Sequence, residues 1–239
     1  MIVVEAFSKQ YGALRAVDGL SFAAPPGCIL GLIGPNGAGK TTTLRALAGV
    51  LAPSAGSLQI AGFDVAQAPL EAKRRLAYVP DEPPHFSDLT VREHLMFHAA
   101  VFAVDDAERK AAELLAFFQL TAKSHALARD LSRGMRQKLA LCCAYLHDPL
   151  AILLDEPMTG LDPPGIRRLK DSLAARAAEG AAVIVSSHLL AMVEDICTDV
   201  LILDHGSKAF IGPIRELRAR FGEAGREKSL EDIFFEVTS

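Results

Sequence analysis

Residues Gly31–Thr42 read GLIGPNGAGKTT, and four of these twelve positions are glycine. Within the stretch, Gly34–Thr41 fits the pattern G-x-x-x-x-G-K-[ST]. A glycine-rich turn alone means little, so the flanks decide. Upstream, CILGLI (Cys28–Ile33) is a short apolar run that predicts a buried strand. Downstream, Thr41–Leu51 has helical spacing. A strand, a glycine loop and a helix start make a phosphate cradle. Gly34, Pro35, Asn36, Gly37, Ala38 and Gly39 let the backbone curl so that N–H groups converge on phosphate oxygens. The positive end of the helix dipole adds to the attraction. Lys40 is placed to reach the β- and γ-phosphates, and the Thr41 hydroxyl suits Mg²⁺, a hard cation that prefers oxygen. Thr42 is placed to support the α-phosphate.

Working outward, AILLD (Ala151–Asp155), AAVIVSS (Ala181–Ser187) and DVLILD (Asp199–Asp204) are further runs of the kind buried on both faces. Helical patterns fit between them. Gly165–Glu179 is introduced by Pro163 and Pro164 and stopped by Gly180, and Leu189–Cys197 follows the third run. The fold class expected is α/β: a phosphate-loop NTPase core with a mainly parallel sheet. Residues near 2–24 and 57–65 alternate apolar and polar, which predicts a small antiparallel β subdomain. Residues from about Pro83 to Pro149 are rich in Ala, Leu, Glu and Lys at helical spacing and predict an inserted α-helical subdomain. From Gly206 a C-terminal extension is expected as a turn, a helix at IRELRARF and a short amphipathic helix at SLEDIFFEV. The whole chain, 1–239, is thus read as one nucleotide-binding domain.

Bulk properties narrow the setting. Half of the 239 residues are apolar, so a sizeable core can be buried. A formal net charge of -4 does not mark a general nucleic-acid binder. Cys28, Cys142, Cys143 and Cys197 form no CxxC pair, and buried reduced thiols in a reducing cytoplasm are expected. The first residues carry no basic, apolar leader pattern. No apolar run reaches the roughly 18 residues needed to span a bilayer, so any membrane role is expected through a partner chain.

A phosphate loop does not say what happens to the nucleotide, but three later stretches do. AILLDEP ends its strand on Asp155 and Glu156. A carboxylate at a strand tip beside the loop can hold Mg²⁺, and the next can orient or deprotonate a water aimed at the γ-phosphate. VIVSSHLL ends its strand on His188, placed to hydrogen-bond that phosphate, and MTGLD makes a short turn carrying Asp162. DLSRGMRQKLAL begins a helix with Ser132 as a good N-cap. The basic first turn of this helix opposes its dipole, and an anion brought to that end would relieve the conflict.

With these stretches in this order, the chain resembles the ATP-binding-cassette family over essentially its whole length. Gly34–Thr41 is similar to the family's Walker A loop and Ala151–Glu156 to its Walker B strand. Leu131–Met135 resembles the signature, Met158–Asp162 the D-loop, and His188 the switch histidine. Tyr11 in FSKQYG stands where the family places an aromatic residue that stacks on adenine. The resemblance implies ATP and Mg²⁺ as cofactors, with Glu156 as catalytic base and His188 holding the γ-phosphate and the water. It also implies head-to-tail pairing with a second nucleotide-binding domain, identical or paralogous, whose γ-phosphate is closed on by Ser132 and Gly134. The partners implied are transmembrane permease subunits, which place the chain in the cytoplasm on the inner face of the membrane.

Two positions depart from the family pattern. Arg133-Gly134-Met135 replaces the usual double glycine and glutamine of the signature, and Asp81 stands at the Q-loop glutamine. Asp81, or Glu82 beside it, is a candidate water-mediated Mg²⁺ ligand on that alignment. YVPDEPP, LSRGMRQKL and SLEDIFFEV resemble ATPase subunits of bacterial multidrug, antibiotic or polysaccharide exporters, so export is the expected direction. A groove for a membrane subunit is expected near Asp81 to Phe86, where PPHF is apolar. An importer's ATPase, a soluble cassette ATPase of translation or DNA repair, and a nucleotide kinase are the alternative readings. The single cassette with an insert of ordinary length argues against the soluble ATPase, and Asp155-Glu156, the signature and His188 argue against the kinase.

Overall fold

A computed structural model of the protein describes residues 1–221 and 229–237. The central sheet has six strands in the order β10-β9-β3-β8-β7-β6. They are β3 (Ile29–Ile33), β6 (Leu76–Val79), β7 (Ala151–Asp155), β8 (Ala182–Ser186), β9 (Asp199–Asp204) and β10 (Ser207–Pro213). All neighbours in it run parallel except β9 and β10. Every residue of β3, β7 and β8 is buried.

The period of two in a strand sorts these side chains into two cores. Ile29, Ile152, Leu154, Val183, Val185, Val200 and Ile202 face one. Leu30, Leu32, Leu153, Ile184, Leu201 and Leu203 face the other. The first core is covered by α5 (Arg133–Tyr145), α6 (Pro163–Ala178) and α7 (Leu190–Ile196). The second is covered by α1 (Lys40–Leu47) and by a second, antiparallel sheet in the order β2-β1-β4-β5. That sheet comprises β1 (Ile2–Tyr11), β2 (Leu14–Ala24), β4 (Ala55–Ile60) and β5 (Phe63–Asp64). The fold is therefore the expected α/β class, a mainly parallel sheet with a small antiparallel sheet beside it.

A short helix α2 (Pro69–Arg74) leads into β6. Between β6 and β7 lie α3 (Val91–Phe102), α4 (Ala107–Phe117) and α5. Thr90 and Glu93 close a capping box on α3, and Ser132 caps α5 by accepting from the Met135 N–H at 3.3 Å. Asp148, at the end of this stretch, accepts from Lys110 of α4 at 2.6 Å and from Arg176 of α6 at 2.8 Å. It thereby ties the inserted helices to the core.

Two elements differ from expectation. The first helix ends at Leu47, not Leu51, because Gly49 takes a φ of +64° that an α-helix cannot continue. The residues after Gly206, expected as a turn and then a helix, first form the edge strand β10. His205 and Gly206, with φ of +44° and +80°, make the tight turn that returns the chain against β9. The helices α8 (Ile214–Phe221) and α9 (Leu230–Val237) follow. Within the expected extension, positions 222–228 and 238–239 lie outside the described residues.

Candidate active site

The phosphate loop leaves β3 at Ile33 and enters α1 at Lys40. Gly39 is the N-cap of α1 with φ +100°, and it offers the helix no side-chain cap. The α1 first turn also holds no acidic residue. Its N–H groups are thus left for an anion, and a phosphate fits them. The Ala16 carbonyl of β2 would lie 2.8 Å from a Cβ at Gly39, so the small sheet presses against the loop. The Gly206 N–H donates to the Ala38 carbonyl at 3.2 Å, bracing the loop from the other side.

Lys40 Nζ donates to the Gly34 carbonyl at 2.6 Å and the Pro35 carbonyl at 3.1 Å. Burial lowers the Lys40 pKa, while the charges of Glu156 and Asp155 work against that shift. The fold thus brings the lysine into the field of both carboxylates, which lie more than 100 positions away in sequence. Asp155 is buried at the tip of β7 and accepts from the Ser186 hydroxyl at 2.6 Å. Ser186 Oγ in turn accepts from the Glu156 N–H at 3.1 Å. The sequence reading missed Ser186. Its signal is a hydroxyl at the end of an otherwise aliphatic buried strand, in register with Asp155.

Glu156 has φ +48°, a left-handed conformation that costs a non-glycine residue about 1–3 kcal/mol. The conformation turns its carboxylate out of the strand toward His188. His188 Nδ1 donates to Glu156 Oε2 at 2.8 Å, and the His188 N–H approaches the same oxygen at 3.4 Å. A carboxylate and an imidazole thus meet at the mouth of the loop.

Tyr11 ends β1, is 46% exposed and carries Lys9 Nζ 5.2 Å from its ring centroid. Its ring is open for stacking. Ser132, Gly134 and Asp162 gather in a second cluster. A Cβ on Gly134 would lie 2.4 Å from the Gly160 carbonyl oxygen, so the α5 start and the loop at 158–162 are in backbone contact. Asp162 caps α6 by accepting from the Gly165 N–H at 3.2 Å and pairs with Lys138 of α5 at 3.1 Å. The hydrogen bond from Lys138 is the main reason the Asp162 carboxyl lies below its ordinary value. Asp81, on the loop after β6, faces Arg133 at 3.6 Å. Among the described residues, no group of three or more His, Cys, Asp and Glu side chains is arranged to hold a metal.

Fold and site together define a phosphate-loop nucleotide hydrolase: a cradle at a helix N-terminus, a lysine, and a carboxylate–imidazole pair beside it. The model of the ABC transporter family matches residues 17–159, and the chain belongs to that family. It is 32% identical to the ABC-type transporter ATP-binding protein EcsA of Bacillus subtilis over 240 aligned positions, covering 100% of this chain and 96% of that one. It is 38% identical to a Nod factor export ATP-binding protein I of Paraburkholderia xenovorans, over 84% of this chain and 66% of that one. A solved structure of an ATP binding subunit of an ABC transporter superposes with a TM-score of 0.94 at 33% identity, over 100% of both chains. The protein is an ATP-binding subunit of an ABC transporter and an ATPase.

Proposed function

We propose that the chain is the motor of an exporter, in which two nucleotide-binding domains close on ATP and drive separate membrane subunits. The observation that carries the reading is the Glu156–His188 pair at 2.8 Å beside the phosphate loop. The Gly34–Gly39 curl, Lys40 and Thr42 hold the phosphates, and Tyr11 stacks on the base with a contribution of roughly 1–3 kcal/mol. The Thr41 hydroxyl and Asp155, whose carboxylate is oriented by Ser186, would hold Mg²⁺, which would neutralise charge on the phosphates. Glu156 takes a proton from water aimed at the γ-phosphate, and His188 holds the carboxylate in place. Ser132 and Gly134 begin a helix whose first turn is basic, and they close on the γ-phosphate of a second copy or a paralogue. Asp162 orders the loop beneath them.

No helix among the described residues is long and apolar enough to cross a membrane, so docking onto permease subunits is the proposed route to the membrane. A cavity of about 400 Å³, lined by Pro83, Pro84, His85, Phe86, Phe97 and Phe102, is the proposed seat for them. Phe86 and Phe97 stand 54% and 46% exposed there. Relatives named for Nod factor export support the outward direction. The test is Glu156→Gln. It should still bind ATP and pair with a second copy, while hydrolysis falls at least about 100-fold. Hydrolysis at the wild-type rate would remove Glu156 from its role. Pull-down from native membranes tests docking: recovery of the chain only as a free monomer refutes it.

A further inference from the structure

The two positions at which the chain departs from its family's motifs touch each other. Arg133 stands in the signature where glycine is usual, and Asp81 stands at the Q-loop position, yet 52 residues apart they form an ion pair at 3.6 Å. Arg133 is the first residue of α5, directly after the Ser132 cap. A cation at a helix N-terminus is opposed by the dipole, and the first turn of α5 holds no acid of its own. Asp81 supplies the missing negative charge from another element. The Arg133 stem also packs on the 158–162 loop, where a Cβ at Gly160 would lie 3.1 Å from its Cγ and Cδ.

The loop that carries Asp81 is stiff. Pro80, Pro83 and Pro84 restrict it, and its far end is fixed where buried His94 accepts from the Phe86 N–H at 3.0 Å. His94 Nδ1 donates to the Thr90 carbonyl at 2.9 Å, which settles its tautomer. Asp81 thus sits at one end of a braced segment and the exposed Phe86 at the other.

We infer that Asp81 and Arg133 form an ionic latch that sets the start of α5 against the proline loop, positioning Ser132 and Gly134 for the phosphate they meet. Asp81 is then a positioning residue acting through Arg133, and a partner pressing on Phe86 reaches the signature through it. The inference rests on the proposal that Ser132 and Gly134 close on the nucleotide of a second copy.

The test is a double-mutant cycle on the whole chain with Asp81→Asn, Arg133→Gln and the pair, reading kcat, KM for ATP and the Mg²⁺ concentration for half-maximal rate. Each single change should lower kcat about two- to fivefold, the span an exposed ion pair supports, with KM and Mg²⁺ dependence unmoved. The double variant should fall no lower than the poorer single one, because the two changes remove one interaction. The latch is overturned if the losses multiply, if either single variant keeps the wild-type kcat, or if Asp81→Asn raises the Mg²⁺ requirement, which would return Asp81 to the metal. Ser132→Glu separates the two levels. Wild-type hydrolysis by that variant overturns the Ser132 reading and the latch with it, whereas an inactive Ser132→Glu combined with multiplying losses overturns the latch alone.

Discussion

Replacing His188 with alanine isolates the contact on which the hydrolytic reading depends. Glu156 is held away from its strand by a left-handed backbone, and the imidazole is its 2.8 Å side-chain partner. A hydrogen bond to a charged group contributes about 1.5–3 kcal/mol. The His188 side chain is 65% exposed, so water replaces part of that contact. The lower end of the range, about 1.5–2 kcal/mol, is then expected, which is roughly a twelve- to thirtyfold loss of kcat. ATP affinity is assigned in the proposal to the phosphate loop and Tyr11, so KM should move less than about threefold. Steady-state phosphate release at saturating Mg²⁺-ATP reads kcat, and binding of a fluorescent ATP analogue reads affinity separately. If kcat stays within twofold of wild type, His188 does not position the base. If affinity falls in proportion to rate, the histidine acts in binding, and the pair at the loop mouth has another purpose.

Gly134→Ala should be more damaging than its size suggests, because the new methyl meets the Gly160 carbonyl at 2.4 Å and neither backbone can yield cheaply. We expect about 1–3 kcal/mol of local strain, read as a kcat loss of about tenfold or more with ATP affinity kept. Asp148→Ala should cost about 1 kcal/mol in urea unfolding, since two ion pairs are lost from a side chain that is 54% exposed and screened by solvent. Burial raises the Asp148 pKa, but the hydrogen bonds from Lys110 and Arg176 outweigh it and leave the carboxyl below its ordinary value. The stability it lends is therefore present above the unfolded aspartate pKa of about 3.9 and is lost as pH falls through the lower folded value. Unfolding of Asp148→Asn should lack that acid-side decline, and an unchanged profile would show that the Asp148 clasp contributes nothing.

Much of the core was legible because its physics is local. β7 and β9 match their apolar runs at both ends, β3 starts one residue late and β8 loses one residue at each end, since aliphatic runs covered on both faces admit little else. The phosphate loop was legible because a strand, a glycine curl and a lysine state their chemistry in eight positions. β10 was not, because SKAFIGP lies at a sheet edge where half of its side chains face solvent and Pro213 ends its pairing. An edge strand exists through its neighbour, and β9 gives no sequence sign that it will accept one. Ser186 was missed for the same kind of reason. Its importance comes from the register of β8 on β7, which pairs it with Asp155, and register is a property of two strands rather than one.

The site also shows how one loop can serve two ends. Residues 156–162 begin at the strained Glu156 and finish at Asp162, the cap of α6. Between them Gly160 lies against Gly134 and Arg133, at the start of the neighbouring helix. Seven residues therefore join Glu156, the proposed base, to the start of α5, the surface proposed to meet a second copy. Turns within the loop, from the Thr159 N–H to the Glu156 carbonyl at 3.1 Å and from the Leu161 N–H to the Met158 carbonyl at 3.1 Å, leave it little slack. A shift of α5 that drives Gly134 toward Gly160 must displace the Gly160 carbonyl, because the gap between them does not admit a methyl group. In the proposed pairing, closure on the far phosphate would reach Glu156 through this backbone contact, without a chain of side chains to carry it. On the proposed pairing, the 158–162 loop would report the position of α5 directly to Glu156, and no separate sensor would be needed.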